Sequence, residues 1–203
     1  MSTVVMHAVT SVDGFIADEN DEVGPLFDWY FNGDRPLIEG AEEHGPFRVS
    51  ATSQAYVRPF WQSIRATIQG RHLFDLTNGW EARPPAGEHL LVVSHRPKPE
   101  GWHPEADVPF FTDIADAVAE ARRRAGDGAV AVCAGNVGGQ ALALGLVDQV
   151  AIDIVPVVFG TGKRYFGGID GQHLLDDPDV VIQGSRVLHL RFPVRRPQAG
   201  SGG

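Results

Sequence analysis

The sequence contains a single cysteine, Cys133, among its 203 residues. One cysteine excludes an intramolecular disulfide and any zinc site built from several cysteines. No apolar run approaches the roughly 18 residues that a membrane-spanning helix needs. The first residues carry no basic segment of the kind that begins a signal peptide. We therefore expect a cytoplasmic protein that does not bind membranes.

Basic residues are scarce: 17 of them face 26 acidic ones, and the formal net charge is −9 at pH 7. This balance argues against a protein that binds nucleic acid by neutralising phosphates over a broad surface. The hydrophobic share of 43% and the charged share of 21% are those of a globular chain, and the length suits one domain. We predict a single domain over residues 1–192 and a disordered polar tail over residues 193–203.

Apolar runs rich in β-branched residues alternate with stretches of helical periodicity. The runs predict strands at 4–9, 66–69, 89–94, 109–111, 129–133, 150–158, 180–183 and 186–192. The helical stretches are 53–65, 112–126 and a short one around 140–142. This order predicts an α/β sandwich whose sheet is largely parallel with an antiparallel edge.

Single residues mark where several of these elements begin or end. Thr112 is a candidate N-cap, and Gly126 can close the same helix. Pro59 predicts a break or kink in the helix over 53–65. The pair Gly184 and Ser185 fits a two-residue turn in a terminal hairpin.

Residues 17–46 are acidic and lack strong periodicity. A segment of this length inside a compact domain is either a functional loop or a solvated insertion. Under the first interpretation, Trp29 and Tyr30 close as a lid over a planar substrate. Under the second, the segment has no direct role in function.

Three predicted strands end in glycine or small polar residues that open a helix or a turn. In an open α/β sheet, ligands bind beyond the carboxyl ends of the strands, where free N–H groups and a helix N-terminus favour an anion. Two of the turns also contain an arginine, whose guanidinium group can donate two parallel hydrogen bonds to two oxygens of one phosphate. Each turn alone is more often a plain surface turn, but together they favour a nucleotide with several phosphates. The three turns lie at 70–72, 94–96 and 133–136.

Two other motifs do not complete a site. Residues 160–164 (GTGKR) are similar to a phosphate-binding loop, but Val157 stands where the first glycine belongs and Arg164 replaces the Ser or Thr that holds magnesium. The eight histidines show no metal-binding spacing on a helix. We therefore expect no metal site.

The order of these pieces resembles the dihydrofolate reductase-like superfamily. Within it, the chain is most similar to the reductase domain of bacterial riboflavin-biosynthesis deaminase/reductases and its stand-alone relatives. Residues 11–17 resemble the signature S-x-D-G-x-I-A, and residues 70–75 resemble G-R-x-T-[FW]-[DE]. The further matching segments are 92–95 (VVSH), 145–148 (GLVD), 155–162 (VPVVFGTG) and 165–166 (YF).

This resemblance implies a three-layer fold and a reductase that passes hydride from NADPH to a C=N or carbonyl-type bond of a small, heterocyclic substrate. It also implies a homodimer and a cofactor site spread over four turns. The implied contacts are Val9, Ile16 and Ala17 beside the nicotinamide, Gly70, Arg71 and His72 at a phosphate, Ser94, His95 and Arg96 at the 2′-phosphate, and Ala134, Gly135, Asn136 and Val137 at the pyrophosphate.

The sequence departs from the superfamily at several positions. Leu73 replaces a threonine, and Ala134 replaces the first of two glycines, which is tolerable only if its φ is negative. True dihydrofolate reductases carry a carboxylate on the helix before the Gly-Arg segment, whereas residues 53–56 (SQAY) contain none. Folate reduction is therefore not expected, and the proton must come from Asp13, from Tyr56 or from water.

Several roles stay open at this stage. Asp13 can equally be a structural loop residue that binds nearby N–H groups. Tyr56, Phe60 and Trp61 either line a substrate slot or belong to the core. Two other functions also remain: a ligand-binding protein without turnover, and an enzyme on the same scaffold that no longer uses NADPH.

Overall fold

A computed structural model describes residues 2–38 and 47–195. Its strands are β1 (Val4–Ser11), β2 (Phe15–Ala17), β3 (Arg35–Pro36), β4 (Arg48–Val49), β5 (Ile64–Gly70), β6 (His89–Val93), β7 (Phe110–Phe111), β8 (Ala129–Cys133), β9 (Gln149–Val155), β10 (Lys163–Arg164), β11 (Val180–Gln183) and β12 (Leu188–Pro193). Its α-helices are α1 (Ala51–Ser63), α2 (Arg71–Thr77), α3 (Ile114–Ala125) and α4 (Asn136–Ala143), and 3-10 helices span Gly24–Phe31 and Asn78–Ala82.

Eight strands form the central sheet in the order β11-β12-β9-β1-β8-β5-β6-β7. The six strands from β9 to β7 are mutually parallel. The hairpin of β11 and β12 joins them antiparallel, through the pairing of β12 with β9. The predicted α/β sandwich, with its mostly parallel sheet and antiparallel C-terminal hairpin, is therefore confirmed.

Alternate residues of β1 face opposite sides of the sheet. Val4 and Met6 belong to the core packed under α3 and α4, together with strand residues of β5 and β8. Val5 and Val9 face the other side, where α1 and the 3-10 helix Gly24–Phe31 cover the sheet. This period of two follows from the pleat of a strand and gives the three-layer arrangement.

The structure corrects some predicted element ends. Asp113, not Thr112, is the N-cap of α3, since its carboxylate accepts the N–H groups of Ala115 (2.7 Å) and Asp116 (3.2 Å). An aspartate at this position accepts hydrogen bonds from two N–H groups of the first turn, which have no acceptor within the helix. Helix α1 continues through Pro59, so of the predicted break or kink the break is wrong.

The terminal hairpin turns one residue later than predicted. The N–H of Gly184 donates to the carbonyl of Val187 (2.9 Å), so Ser185 and Arg186 form the two-residue loop. Arg186, the second residue of this loop, has a positive φ (62°).

The chain stays paired beyond the predicted domain end at residue 192. Pro193 still belongs to β12 and pairs with Gln149, and Val194 bridges to Leu175. The rest of the predicted tail, residues 196–203, lies outside the described residues. In the part of the chain that is described, none of the helices is both long and apolar enough to cross a bilayer.

Candidate functional site

Four neighbouring parallel strands bring the predicted turns to one edge of the sheet. Strands β1, β8, β5 and β6 lie side by side and end at Ser11, Cys133, Gly70 and Val93. Because all four run in the same direction, the loops that follow them meet at the carboxyl edge. The turns at 70–72, 94–96 and 133–136 therefore share this edge with the β1–β2 loop.

Two glycines allow close packing at this edge. A Cβ on Gly70 would lie 2.8 Å from Cγ2 of Val137, so the end of β5 fits against α4 only without a side chain. Gly135 has a φ of 93° and precedes α4, and a Cβ there would lie 3.7 Å from Cδ1 of Ile16. Ala134 is not among the residues with positive φ, so the condition for its tolerance is met.

The N-terminus of helix α4 lies at this edge, but some of the polar groups there already form hydrogen bonds within the protein. The N–H of Gly135 donates to the carbonyl of Tyr165 (2.6 Å). Oδ1 of Asn136 accepts the N–H of Gly168 (3.3 Å). The backbone N–H groups in the first turn of a helix have no intrahelical acceptor, and they are the donors that remain for an anion here.

Asp75 joins the two arginines predicted to bind phosphates. Nε of Arg71 donates to Oδ1 of Asp75 (2.7 Å), and a terminal nitrogen of Arg96 donates to Oδ2 (2.6 Å). Arg71 also donates to the carbonyl of Pro97 (2.9 Å). Partial burial raises the pKa of Asp75, but the hydrogen bonds from both arginines outweigh it, so the pKa lies below its ordinary value. Both guanidinium groups keep further N–H donors for a ligand.

The acidic loop after β2 also contacts basic side chains at this edge, through Asp21. Nε2 of His72 lies 2.8 Å from Oδ1 of Asp21, and Nζ of Lys163 lies 3.5 Å from that oxygen. The hydrogen bond with His72 lowers the pKa of the Asp21 carboxyl below its ordinary value. His72 is thus brought to the edge as predicted, but with a carboxylate already beside it.

The turn after β6 is held by its own serine. Oγ of Ser94 accepts the N–H of Arg96 (2.9 Å) and donates to the carbonyl of Arg96 (2.6 Å). Ser94 is buried, whereas His95 and Arg96 are exposed at the edge. Ser94 therefore shapes the turn, and the side chains of His95 and Arg96 face outward.

Asp13 holds a loop in place. Its carboxylate accepts hydrogen bonds from the Ser11 hydroxyl (2.6 Å) and from the N–H groups of Phe159 (3.1 Å) and Gly160 (2.7 Å). The bond from Ser11, together with those from Gly160 and Phe159, outweighs partial desolvation and lowers the pKa of Asp13 to about 2. These contacts fit the structural alternative for Asp13, because a carboxylate with so low a pKa is a poor proton donor near neutral pH.

The aromatic residues of α1 line the covered face of the sheet. Phe60 is buried and meets the His7 ring edge-on, with 5.2 Å between ring centroids. Tyr56 is half-buried over His189. Burial, together with the negative charge of Asp153, raises the pKa of the Tyr56 phenol to about 12.

Trp29 and Tyr30, which close as a lid under one interpretation of the acidic segment, lie in the core of the structure. Both residues are buried, with 1% and 5% of their surfaces exposed, and their rings stack at 4.0 Å. They pack with Val9 and Val155, and half-buried Trp61 joins the same cluster. Val9 is therefore covered by the 3-10 helix Gly24–Phe31. The predicted substrate roles of Trp29, Tyr30, Phe60 and Trp61 remain predictions.

The sequence analysis missed a buried chain of polar side chains on the same face. Oδ2 of Asp153 lies 3.0 Å from Nε2 of His7, and Oδ1 lies 2.6 Å from Nδ1 of His189. Nε2 of His189 lies 3.0 Å from Oγ of Ser53. Burial alone would raise the pKa of Asp153, but His7 and His189 hold it below its ordinary value.

Gln69 was missed as well. It lies in β5 just before Gly70 and is fully buried, and neither its Oε1 nor its Nε2 has a hydrogen-bond partner among the described residues. The sequence contains no clear signal for it, because Arg65 and Thr67 are further polar residues of the same strand. A buried amide without partners is costly, so its position calls for an explanation.

The comparisons with known proteins decide the family. Residues 83–189, more than half of the chain, match the model of the RibD C-terminal domain. The chain belongs to the RibD C-terminal domain family. This membership confirms the resemblance to riboflavin-biosynthesis reductase domains and indicates an oxidoreductase of the reductase type.

Solved structures similar to this RibD C-terminal domain protein support the fold. A riboflavin biosynthesis protein from Shewanella sp. PV-4 has 18% identity and a TM-score of 0.66, over 97% of this chain and 100% of that one. A pyrimidine reductase-like protein from Corynebacterium diphtheriae has 16% identity and a TM-score of 0.55, over 97% and 93%.

A third similar structure is a longer protein. It is the diaminohydroxyphosphoribosylaminopyrimidine deaminase/5-amino-6-(5-phosphoribosylamino)uracil reductase of Thermotoga maritima, with 12% identity and a TM-score of 0.58. The match covers 96% of this chain and 57% of that one. No curated protein matches the chain. At these identities the structures show the fold alone.

Proposed function

We propose that the protein is an NADPH-dependent reductase that transfers hydride to a C=N or carbonyl-type bond of a small heterocyclic substrate. The observation that carries this proposal is the cluster of Arg71, Asp75 and Arg96 beside the N-terminus of α4. In a chain of net charge −9, two arginines aligned at neighbouring strand ends favour a ligand with more than one phosphate.

The residues at the carboxyl edge fit NADPH. Gly70 lets the end of β5 pack closely against Val137 at the start of α4, and Gly135 adopts the positive φ (93°) that leads into this helix. Arg96 and His95, exposed after β6, would hold the 2′-phosphate, and Arg71 with the first turn of α4 would hold the pyrophosphate. When bound, NADPH supplies the hydride, while the protein contributes placement and electrostatics.

The family and the activity in the name of the Thermotoga maritima protein suggest the first substrate to test. That protein reduces 5-amino-6-(5-phosphoribosylamino)uracil. We propose that this protein acts on the same compound or on a related nitrogen heterocycle. The face between the sheet and α1 is the surface on which we expect it to bind.

The test is NADPH oxidation in the presence of 5-amino-6-(5-phosphoribosylamino)uracil, followed by nicotinamide absorbance. We expect turnover that Arg71→Ala lowers about 10- to 100-fold in kcat/KM, as expected for the loss of a charge-assisted contact of about 1.5–3 kcal/mol. Arg195→Ala is the matched control, because Arg195 pairs with Asp176 in the last described residues, after β12. Saturable NADPH binding without turnover on a broad panel of imines and carbonyls would instead support a ligand-binding protein.

A further inference from the structure

The proposed reduction needs a proton as well as a hydride, and the two residues considered for it from the sequence are poorly suited. Asp13 is tied to Ser11 and to the loop at Gly160. The phenol of Tyr56 has its pKa raised to about 12 by burial and by Asp153. The remaining sources of a proton near neutral pH are water and another group on the same face.

We propose that His7, oriented by Asp153, protonates the substrate as the hydride arrives. This inference rests on the proposed reductase function. Hydrogen bonds join His7 to Asp153 and Asp153 to His189. The exposed fraction of the side chain is 0% for His189, 3% for Asp153 and 16% for His7. His7 is the member of the trio that a ligand or water can reach.

The hydrogen bonds fix the orientation of the His7 ring. A carboxylate only accepts, so Nε2 of His7 and Nδ1 of His189 each carry a hydrogen toward Asp153. The other nitrogen of His7, Nδ1, is left for the substrate. A buried carboxylate needs hydrogen-bond donors, and Asp153 accepts one hydrogen bond from each imidazole.

The position of His7 on β1 suits this role. His7 and Val9 point to the same side of the sheet, about 7 Å apart along the strand. The family resemblance implies that Val9 flanks the nicotinamide. The 3-10 helix Gly24–Phe31, which covers Val9 in this structure, would have to shift for a substrate to extend from there along this face to the imidazole.

Gln69 provides a second, independent indication of a ligand on this face. His7 pairs with Cys133 of β8, and continuing the pairing of Ile68 with Val132 by one residue brings Gln69 beside Cys133. Gln69, Cys133 and His7 thus form a row across three strands, with the smallest side chain in the middle. The unpaired amide of Gln69 can accept and donate at once, which matches the N–H and C=O groups on the edge of a lactam or uracil ring.

NADPH, when bound, would supply the hydride to the carbon of a substrate C=N bond, and the electron pair of that bond would move to nitrogen. The proton on Nδ1 of His7 passes to the same nitrogen. NADP⁺ and the amine are formed, His7 is left neutral, and water returns the proton.

The test compares His7→Gln with wild type in NADPH oxidation, using 5-amino-6-(5-phosphoribosylamino)uracil and the cyclic imine 2-methyl-1-pyrroline as probes. We expect kcat to fall about 100-fold or more, which is typical of losing a general acid. NADPH affinity should stay within about twofold, and the decline of the rate at high pH should disappear. The titratable and charged groups around His7 are Asp153, His189, Cys133, Tyr56 and Arg191.

Two variants separate this role from a structural one. His189→Gln removes the other partner of Asp153, so it should lower stability yet keep the high-pH decline of the rate. Gln69→Leu removes the unpaired amide, so it should leave the melting temperature of the ligand-free protein unchanged or higher, while raising KM for the aminouracil about tenfold. His173→Gln, on an exposed loop, should behave as wild type.

The possible failures are distinguishable. A folded wild-type protein that does not bind NADPH overturns the proposed function. One that binds NADPH but reduces neither probe overturns the inference and the catalytic half of the function. An active wild type whose His7→Gln variant keeps kcat within threefold and the same pH profile overturns the inference alone.

Discussion

At the scale of single residues, the candidate site combines exposed cations with buried polar groups. Arg71 and Arg96 were found from the sequence because each follows an apolar run. His7, Asp153 and His189 were not, because 146 residues separate His7 from Asp153 and 36 separate Asp153 from His189. Each of them reads as an isolated polar residue in a strand, and only the sheet order β12-β9-β1 brings them together.

The first prediction concerns the stability that Asp153 provides. Asp153→Asn should lower the free energy of unfolding by about 3 kcal/mol at pH 7, as is typical when one partner of a buried ion pair is removed. The folded-state pKa of Asp153 lies below its unfolded value of about 3.9. Its contribution is therefore fully present above about pH 4 and is lost as the pH falls through the lower, folded-state pKa.

Urea denaturation between pH 3 and pH 7 measures this contribution. The wild type should lose stability toward the acid end, and the Asp153→Asn curve should be flatter there. Asp177→Asn, at an exposed position, is the control. Equal acid dependence in the wild type and in Asp153→Asn would contradict the assigned pKa direction.

At the scale of elements, the patterns predicted strands and helices well but their ends less well. Helix α3 illustrates the reason. Threonine and aspartate are both good N-cap residues. The sequence alone does not show whether the helix begins after Thr112 or after Asp113. The structure selects Asp113 because its carboxylate reaches two N–H groups of the first turn.

This assignment gives the second prediction. Asp113→Ala should lower the free energy of unfolding by about 1 kcal/mol, the usual cost of losing an N-cap. Thr112→Ala should cost clearly less, since Thr112 lies outside the helix. Thermal or urea denaturation of the two variants measures the difference. A larger loss in Thr112→Ala would show that the cap is misassigned.

The edge strand β11 supports a further proposal about assembly. An edge strand presents unpaired N–H and C=O groups, and Val181 on β11 is 61% exposed. We propose that a second copy of the chain pairs along this hairpin, which would give the homodimer that the family resemblance implies. Because β11 ends the sheet, such pairing would extend it continuously.

The third prediction follows from that proposal. Light scattering coupled to size-exclusion chromatography should give a dimer mass for the wild type and a monomer mass for Val181→Lys, because a charge on an edge strand opposes strand pairing. Leu144→Lys, equally exposed at the end of α4, should remain dimeric. A wild type that is monomeric over a wide concentration range would contradict the proposal.

At the scale of the whole molecule, the order of strands explains what the sequence could and could not predict. The sandwich, the parallel sheet and the proposed phosphate-binding edge follow from apolar runs and from the residues that end them, and these signals are local. The burial of Trp29 and Tyr30 depends on how the segment after β2 packs on β9, a contact that no local pattern encodes. The same holds for the carboxylates Asp21 and Asp75, which occupy the cationic edge.

The central claim is that the carboxyl edge of the sheet binds NADPH, and an equilibrium titration followed by nicotinamide fluorescence tests it most directly. The wild type should bind NADPH at least about tenfold more tightly than NADH, since the 2′-phosphate adds a charge-assisted contact. Arg96→Ala should remove that preference and leave NADH binding unchanged, whereas Arg71→Ala should weaken both. Folded wild-type protein that binds neither nucleotide, or an Arg96→Ala variant that keeps the full preference for NADPH, would contradict the account.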